Sequence, residues 1–193
     1  MLRRLYDIHT HHPHNGVISP TMAGIHPWDA DKEIAMPDFT LCDIIGETGL
    51  DYACEVDRVA QERLFRRHLE VAERLQKPVV LHTVRAFEPT VKILADYNLK
   101  NVVFHGFVGT NQQAEEALRR GYYLSFGHRS LRSTKSRQAI AATPLERLFC
   151  ETDDDASRDI AEIYAEVAEI KGVTLEELER KIYENYKRFF GQQ

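Results

Sequence analysis

Tyr6-Asp7-Ile8-His9-Thr10-His11-His12 places two histidines at positions i and i+2, at the end of an apolar run that begins at Leu5. Alternate residues of a strand project to the same face, so His9 and His11, with Asp7 beside them, are expected to point at one spot. Imidazole nitrogen suits zinc, iron, nickel or copper, and a nearby carboxylate widens the choice towards manganese and magnesium. A His-rich turn that binds nothing has the same sequence, so the reading of this tract is decided by what lies around it.

The 193 residues, 43% of them hydrophobic, suit one domain over 1–193 with a real core, and no run is long enough to span a bilayer. No membrane partner is expected. The start, Met1 to Leu5, lacks the apolar core of an export signal. Cys42, Cys54 and Cys150 are an odd number at no zinc-like spacing, which fits reduced thiols and a cytoplasmic location. A net charge of −5 argues against non-specific adhesion to nucleic acid or anionic membrane, and leaves room for a local anion site.

Seven short apolar runs read as strands: Leu5 to His9, Met22 to His26, Asp43 to Glu47, Pro78 to His82, Val102 to His105, Tyr122 to Phe126 and Leu148 to Asp153. Helical patterns alternate with them, over Asp57 to Gln76, Asn111 to Gly121, Ser157 to Lys171 and Thr174 to Phe189. Such alternation predicts an α/β fold with parallel strands, as an open sheet or a closed barrel. The polar residues favour the barrel. One strand after another ends in a histidine or an acid, at His9 and His11, His26, Glu47, His82, His105 and Asp153. A barrel gathers the carboxyl ends of its strands around one mouth, where residues distant in sequence converge. Taken singly, His82 or His105 also reads as a core histidine bonded to a carbonyl, and Glu47 as a core acid paired with an arginine. Together they imply a shared positive partner, a dinuclear metal centre.

The ordered motifs Asp7-Ile8-His9-Thr10-His11, Gly24-Ile25-His26-Pro27-Trp28, Ile45-Gly46-Glu47-Thr48-Gly49-Leu50-Asp51-Tyr52, Val80-Leu81-His82, Phe104-His105-Gly106-Phe107, Leu124-Ser125-Phe126 and Glu151-Thr152-Asp153 resemble those of the TatD-related metal-dependent deoxyribonucleases, within the amidohydrolase-like barrels. The likeness runs almost end to end and includes Asn185 to Phe189. It implies a TIM-type (β/α) barrel and two divalent metal ions of zinc, manganese or magnesium type. The implied activity is hydrolysis of phosphodiester bonds in DNA or oligonucleotides, with an exonuclease among the options. It assigns His9, His11 and Asp153 to one ion, His82 and His105 to the other, and Glu47 to the bridge between them. Asp153, facing the attacking water, is then the expected general base. His26 resembles a position close to the substrate phosphate, with a turn residue held by Pro27 as the alternative.

The chain departs from the family pattern in three places. The segment from His11 to Gly24 is too short for the usual helix, strand and helix, so the barrel is expected to be trimmed by about one strand–helix unit after its first strand. Arg85, a substrate-binding candidate, stands one residue away from the family's arginine, which on a strand end reverses its direction. Asp153-Asp154-Asp155 replaces a small residue and proline, and is read as the acidic start of the helix near Ser157. Against these, His128, Arg129, Arg132, Lys135 and Arg137 form a basic loop after the strand ending at Phe126, on the face expected to carry the metals. Arg129, Arg132 and Lys135 are its candidate phosphate ligands, and a solvated basic face is the alternative. An amidase or lactonase of the same superfamily, or a non-catalytic metal-binding domain, are the competing functions. The assembly is expected to be a monomer or homodimer.

Overall fold

A computed structural model describes residues 4–192. Met1 to Arg3, part of the stretch read above for an export signal, lie outside the described residues. In chain order the elements are β1 (Leu5–Tyr6), β2 (Val17–Ile18), β3 (Met22–Ala23), β4 (Ile44–Asp51), α1 (Arg58–Leu75), β5 (Val79–Val84), α2 (Phe87–Leu94), β6 (Val102–Phe104), α3 (Asn111–Arg119), β7 (Tyr123–Phe126), α4 (His128–Leu131), α5 (Thr134–Ala142), β8 (Leu148–Cys150), α6 (Ile160–Lys171) and α7 (Leu175–Phe190). Single 3-10 turns lie at Pro27–Asp29 and Leu145–Arg147. Packing divides the chain into two units, one running from Thr21 to Phe104 and the other formed by the segments up to Pro20 and from His105 onward.

In the Thr21–Phe104 unit, β3, β4, β5 and β6 pair in that order, each parallel to the next. Ile44, Ile45, Val79, Val80 and Leu81 are fully buried in succession, the pattern of strands covered on both faces. Helix α1 starts where the Asp57 carboxylate accepts the Ala60 N–H, and ends at Gln76 in the left-handed region. Its apolar stripe buries Leu64, Phe65, Leu69 and Ala72, as its periodicity predicts.

In the other unit, β1 pairs with β2 and β7 with β8, again in parallel. The expected first strand stops early, at Tyr6, because the chain beyond it changes partner. Ile8 N–H donates to the Cys150 carbonyl at 3.2 Å, Asp153 N–H to that of His9 at 3.0 Å, and His11 N–H to that of Asp153 at 2.9 Å. Helix α6 is tied to β1 by the Tyr164 hydroxyl, which donates to the Tyr6 carbonyl, and α7 to β8 by the Asn185 amide, which donates to the carbonyls of Leu145 and Leu148. The rings of Tyr123, Phe149 and Phe189 pack together between these elements.

Between β1 and β3 the described chain keeps a strand, the two-residue β2 parallel to β1, and carries no helix, so the described residues form eight strands rather than the seven expected and what is trimmed there is helical. Other boundaries move. The strand expected at Met22 to His26 ends at Ala23, while the one expected to end at Glu47 continues to Asp51. Helix α6 begins at Ile160 rather than near Ser157, because the Asp155 carboxylate holds the Ser157 N–H and hydroxyl in a turn and Asp159 caps the helix instead. The basic segment read as a loop folds into α4 and α5.

One polar residue on the buried face of α1 carries a measurable consequence. His68 is fully buried, its Nε2 accepting the Ile25 N–H at 3.0 Å and its Nδ1–H donating to the Leu64 carbonyl at 2.9 Å. Burial pushes its imidazole down to about 4 from an ordinary 6.5. The unfolded chain therefore takes up this proton first, so the stability tied to neutral His68 is present above about pH 6.5 and is lost as pH falls towards about 4. Urea unfolding of the wild type and His68→Phe checks this. The stability advantage of the wild type over the variant should shrink by about 2 to 3 kcal/mol between neutral pH and about pH 4.5, and a difference that stays constant would remove His68 as its source.

Candidate functional site

Strand β4 aims Glu47 by an irregularity. The register with β5 runs Ile45 to Val79 and then Thr48 to Leu81, so one extra residue bulges between them. Gly46 makes the bulge possible: its φ is +142°, and a Cβ there would lie 2.4 Å from the Val80 carbonyl oxygen. Glu47 Oε1 then sits 2.7 Å from His82 Nδ1 and 3.4 Å from His26 Nε2. Ligand atoms of His26, Glu47 and His82 all lie within 4.8 Å of one another.

The hydrogen bonds around this cluster sort its members. Asp51 Oδ2 faces His82 Nε2 at 3.2 Å and accepts the Trp28 indole N–H at 2.7 Å, while Asp51 Oδ1 accepts the Ala53 N–H at 2.8 Å. Burial would raise the Asp51 carboxyl, but these bonds from Trp28, Ala53 and His82 hold it below the ordinary carboxylate range. An ionised Asp51 takes the His82 proton on Nε2. His82 Nδ1 faces the Glu47 carboxylate, so that with the ring protonated on Nε2 alone the two side chains together offer a lone pair and an anionic oxygen to a cation. His26 differs: its Nδ1 accepts the Trp28 N–H at 3.2 Å, so the neutral ring carries its proton on Nε2 and presents a donor.

In the other unit, the ring of His9 lies 4.1 Å from that of His105 and 5.1 Å from that of His11, centroid to centroid. His9 Nε2 is 3.3 Å from Asp153 Oδ1, and the half-exposed His11 reaches the same oxygen at 3.8 Å. Ligand atoms of His9, His105 and Asp153 fall within 4.8 Å of one another. Asp153 holds a left-handed backbone, φ +55°, uncommon for a residue with a side chain and typical of sites fixed for function. His105 Nδ1 faces Glu151 Oε1 at 3.3 Å. Glu151 is fully buried, its Oε2 has no hydrogen-bond partner among the described residues, and Gly127 leaves room for it, since a Cβ there would meet the Glu151 carbonyl at 3.0 Å. Clustered imidazoles and carboxylates, partly withdrawn from water and backed by further acids, fit zinc or manganese in both units.

A pocket of about 370 Å³ opens beside Asp153, lined by Glu151 and Thr152 to Asp155 from the segment after β8 and by His128, Arg129 and Arg132 from the segment after β7. Arg129 and Arg132, at the surface of α4 and just past it, are thus brought to Asp153, whereas Lys135 lies on the exposed side of α5, outside this lining. Arg85 is exposed just beyond β5, in left-handed backbone with φ +50°. Asp7 is turned away from the ligand groups: its carboxylate accepts the Thr152 hydroxyl at 2.6 Å and the His9 N–H at 3.3 Å, and burial lifts it to about 7. Asp154, read as a helix-start acid, instead pairs with His12 at 3.0 Å. The resemblance implies that His105 shares an ion with His82; within its own unit His105 has His9 and Asp153 as neighbours. Asp51 and Glu151, the acids that face the outer nitrogens of His82 and His105, received no role from the sequence; the signal that pointed to them was an acid in the same strand-end motif as a ligand.

The TatD related DNase family matches residues 8–191. The uncharacterized metal-dependent hydrolase YcfH of Escherichia coli (strain K12) is 33% identical over 166 residues, covering 76% of this chain and 62% of that protein. Deoxyribonuclease TATDN3 of Homo sapiens is 26% identical over 210 residues, covering 92% of this chain and 76% of that protein. The crystal structure of YJJV, a TatD homolog from Escherichia coli K12, superposes with a TM-score of 0.84 at 23% identity, covering 99% of each chain. The fold is therefore the α/β, TIM-type barrel fold anticipated from the strand ends, shortened between β1 and β3. With its family motifs spread over nearly the whole length, the chain belongs to the TatD related DNase family of hydrolases.

Proposed function

We propose that the protein is a metal-dependent phosphodiesterase acting on DNA or short oligonucleotides. The observation that carries this reading is that Asp153, which clusters with His9 and His105, also lines a pocket to which Arg129 and Arg132 contribute. The names of relatives such as deoxyribonuclease TATDN3 support it. One ion is assigned to His9, His11, His105 and Asp153, and a second to Glu47 and His82. Divalent ions at such ligands supply Lewis acidity, which makes water a nucleophile at neutral pH and offsets charge on phosphoryl oxygen.

The chain's own groups do the rest. Asp153, through a carboxylate oxygen, takes the proton of the attacking water, and Glu151 holds the His105 ring in one tautomer so that Nε2 faces the ligand cluster. Asp51 does the same for His82. His26 offers Nε2–H to Glu47 or to a phosphoryl oxygen. Arg129 and Arg132 hold phosphates, which need forked cationic donors. Two arginines in the pocket lining suit a substrate with several phosphates, and the deoxyribonuclease names of relatives agree, which ranks the amidase and lactonase readings second.

Two outcomes are expected. Loaded with manganese, magnesium or zinc, the protein should cleave single-stranded oligonucleotides, and Asp153→Asn should slow that cleavage by about 10²-fold or more, because a base and a ligand are lost together. Hydrolysis of acyl substrates alone, or full activity in the variant, would reject the assignment. Removing Arg129 and Arg132 together should flatten the dependence of log affinity on log salt by about 0.7 for each phosphate that is no longer held. An unchanged slope would return both side chains to solvent.

A further inference from the structure

Trp28 is the sequence's one tryptophan, and it is 55% exposed. It is nevertheless fixed on several sides. The Pro27–Asp29 turn that carries it is capped by His26 Nδ1, its indole N–H donates to Asp51 Oδ2 at 2.7 Å, and its ring meets His26 edge-on at 4.6 Å and His82 at 6.0 Å. Asp51 thus joins the indole to the histidine that faces Glu47. A large apolar ring held in water by a hydrogen bond, instead of folding back onto apolar surface, is a preorganised contact surface.

A nucleotide carries its base one sugar away from its phosphate, so a ring fixed beside phosphate-handling residues is placed to meet the base. Indole faces stack on any base, which is how proteins grip single strands without reading their sequence. We propose that Trp28 is a stacking platform for a nucleobase of the substrate, placed beside the His26, Glu47 and His82 cluster. This rests on the nuclease reading above and adds what that reading lacks, a contact to the base. It makes Trp28 a specificity residue that separates nucleotides from other phosphodiesters.

The test compares a short, hydrolysis-resistant phosphorothioate single strand with its abasic counterpart, binding to metal-loaded wild type, Trp28→Ala and Trp28→Phe. Indole emission reports from this ring alone. The strand with bases should bind wild type about tenfold tighter than the abasic strand and quench the emission, since stacking of one base is worth about that factor or more. Trp28→Ala should bring the ratio close to unity and Trp28→Phe should keep part of it; taking the ratio within each variant cancels any general loss of folding or metal. A ratio unchanged in Trp28→Ala, with both strands still bound and the natural strand still cut, overturns the platform and leaves the nuclease. Failure of every form to bind either strand, with no cleavage by wild type, overturns both.

Discussion

Carboxylates withdrawn from water must find a positive partner or a proton, because an unmatched buried charge costs several kcal/mol, and a buried neutral imidazole must find a partner for each of its two nitrogens. His9, Glu151 and Asp7 are almost wholly buried and His105 nearly so. The molecule answers in two ways. Asp7 shifts towards its protonated form, lifted to about 7 by burial, and serves as a tie between Thr152 and the backbone of His9. Elsewhere imidazole nitrogens and carboxylate oxygens are set against one another, as His82 Nδ1 and Glu47 Oε1 are at 2.7 Å, an arrangement that a divalent cation stabilises and an apolar core does not.

The backbone is shaped to that end. A bulge aims Glu47, and the left-handed residue Asp153 turns the chain at the end of β8 while its backbone pairs with His9 and His11. Asp51 faces His82 Nε2 and Glu151 faces His105 Nδ1. Partners of this kind fix which nitrogen carries the proton, so the nitrogen facing the cluster is left with its lone pair. Trp28 extends the same network outward to the surface through Asp51.

The strand-end histidines and acids were legible as residues that come together because each follows a short apolar run, and α1, α3 and α7 because polar caps and helical periodicity agree. What was missed has local causes. Helix α2 starts at Phe87 without a side-chain cap and has Pro89 in its first turn, so it reads as a breaker. Strand β2 is two residues long, too short for any period to show. Helices α4 and α5 are short and crowded with basic residues, which reads as loop until Ser133 is seen to cap the second. The pairing of His105 with His9, and of Asp51 with His82, depends on tertiary geometry between segments far apart in sequence, which spacing along the chain does not encode.

The central claim is that these clusters exist to hold ions, and metal content tests it most directly. Protein loaded with zinc or manganese, freed of excess metal and measured by elemental analysis, should hold about two ions per chain. A variant in which Glu47 and His82 are both replaced by alanine should keep about one, held by His9, His105 and Asp153. A content near zero in the folded wild type, or one unaffected by loss of Glu47 and His82, would contradict the account.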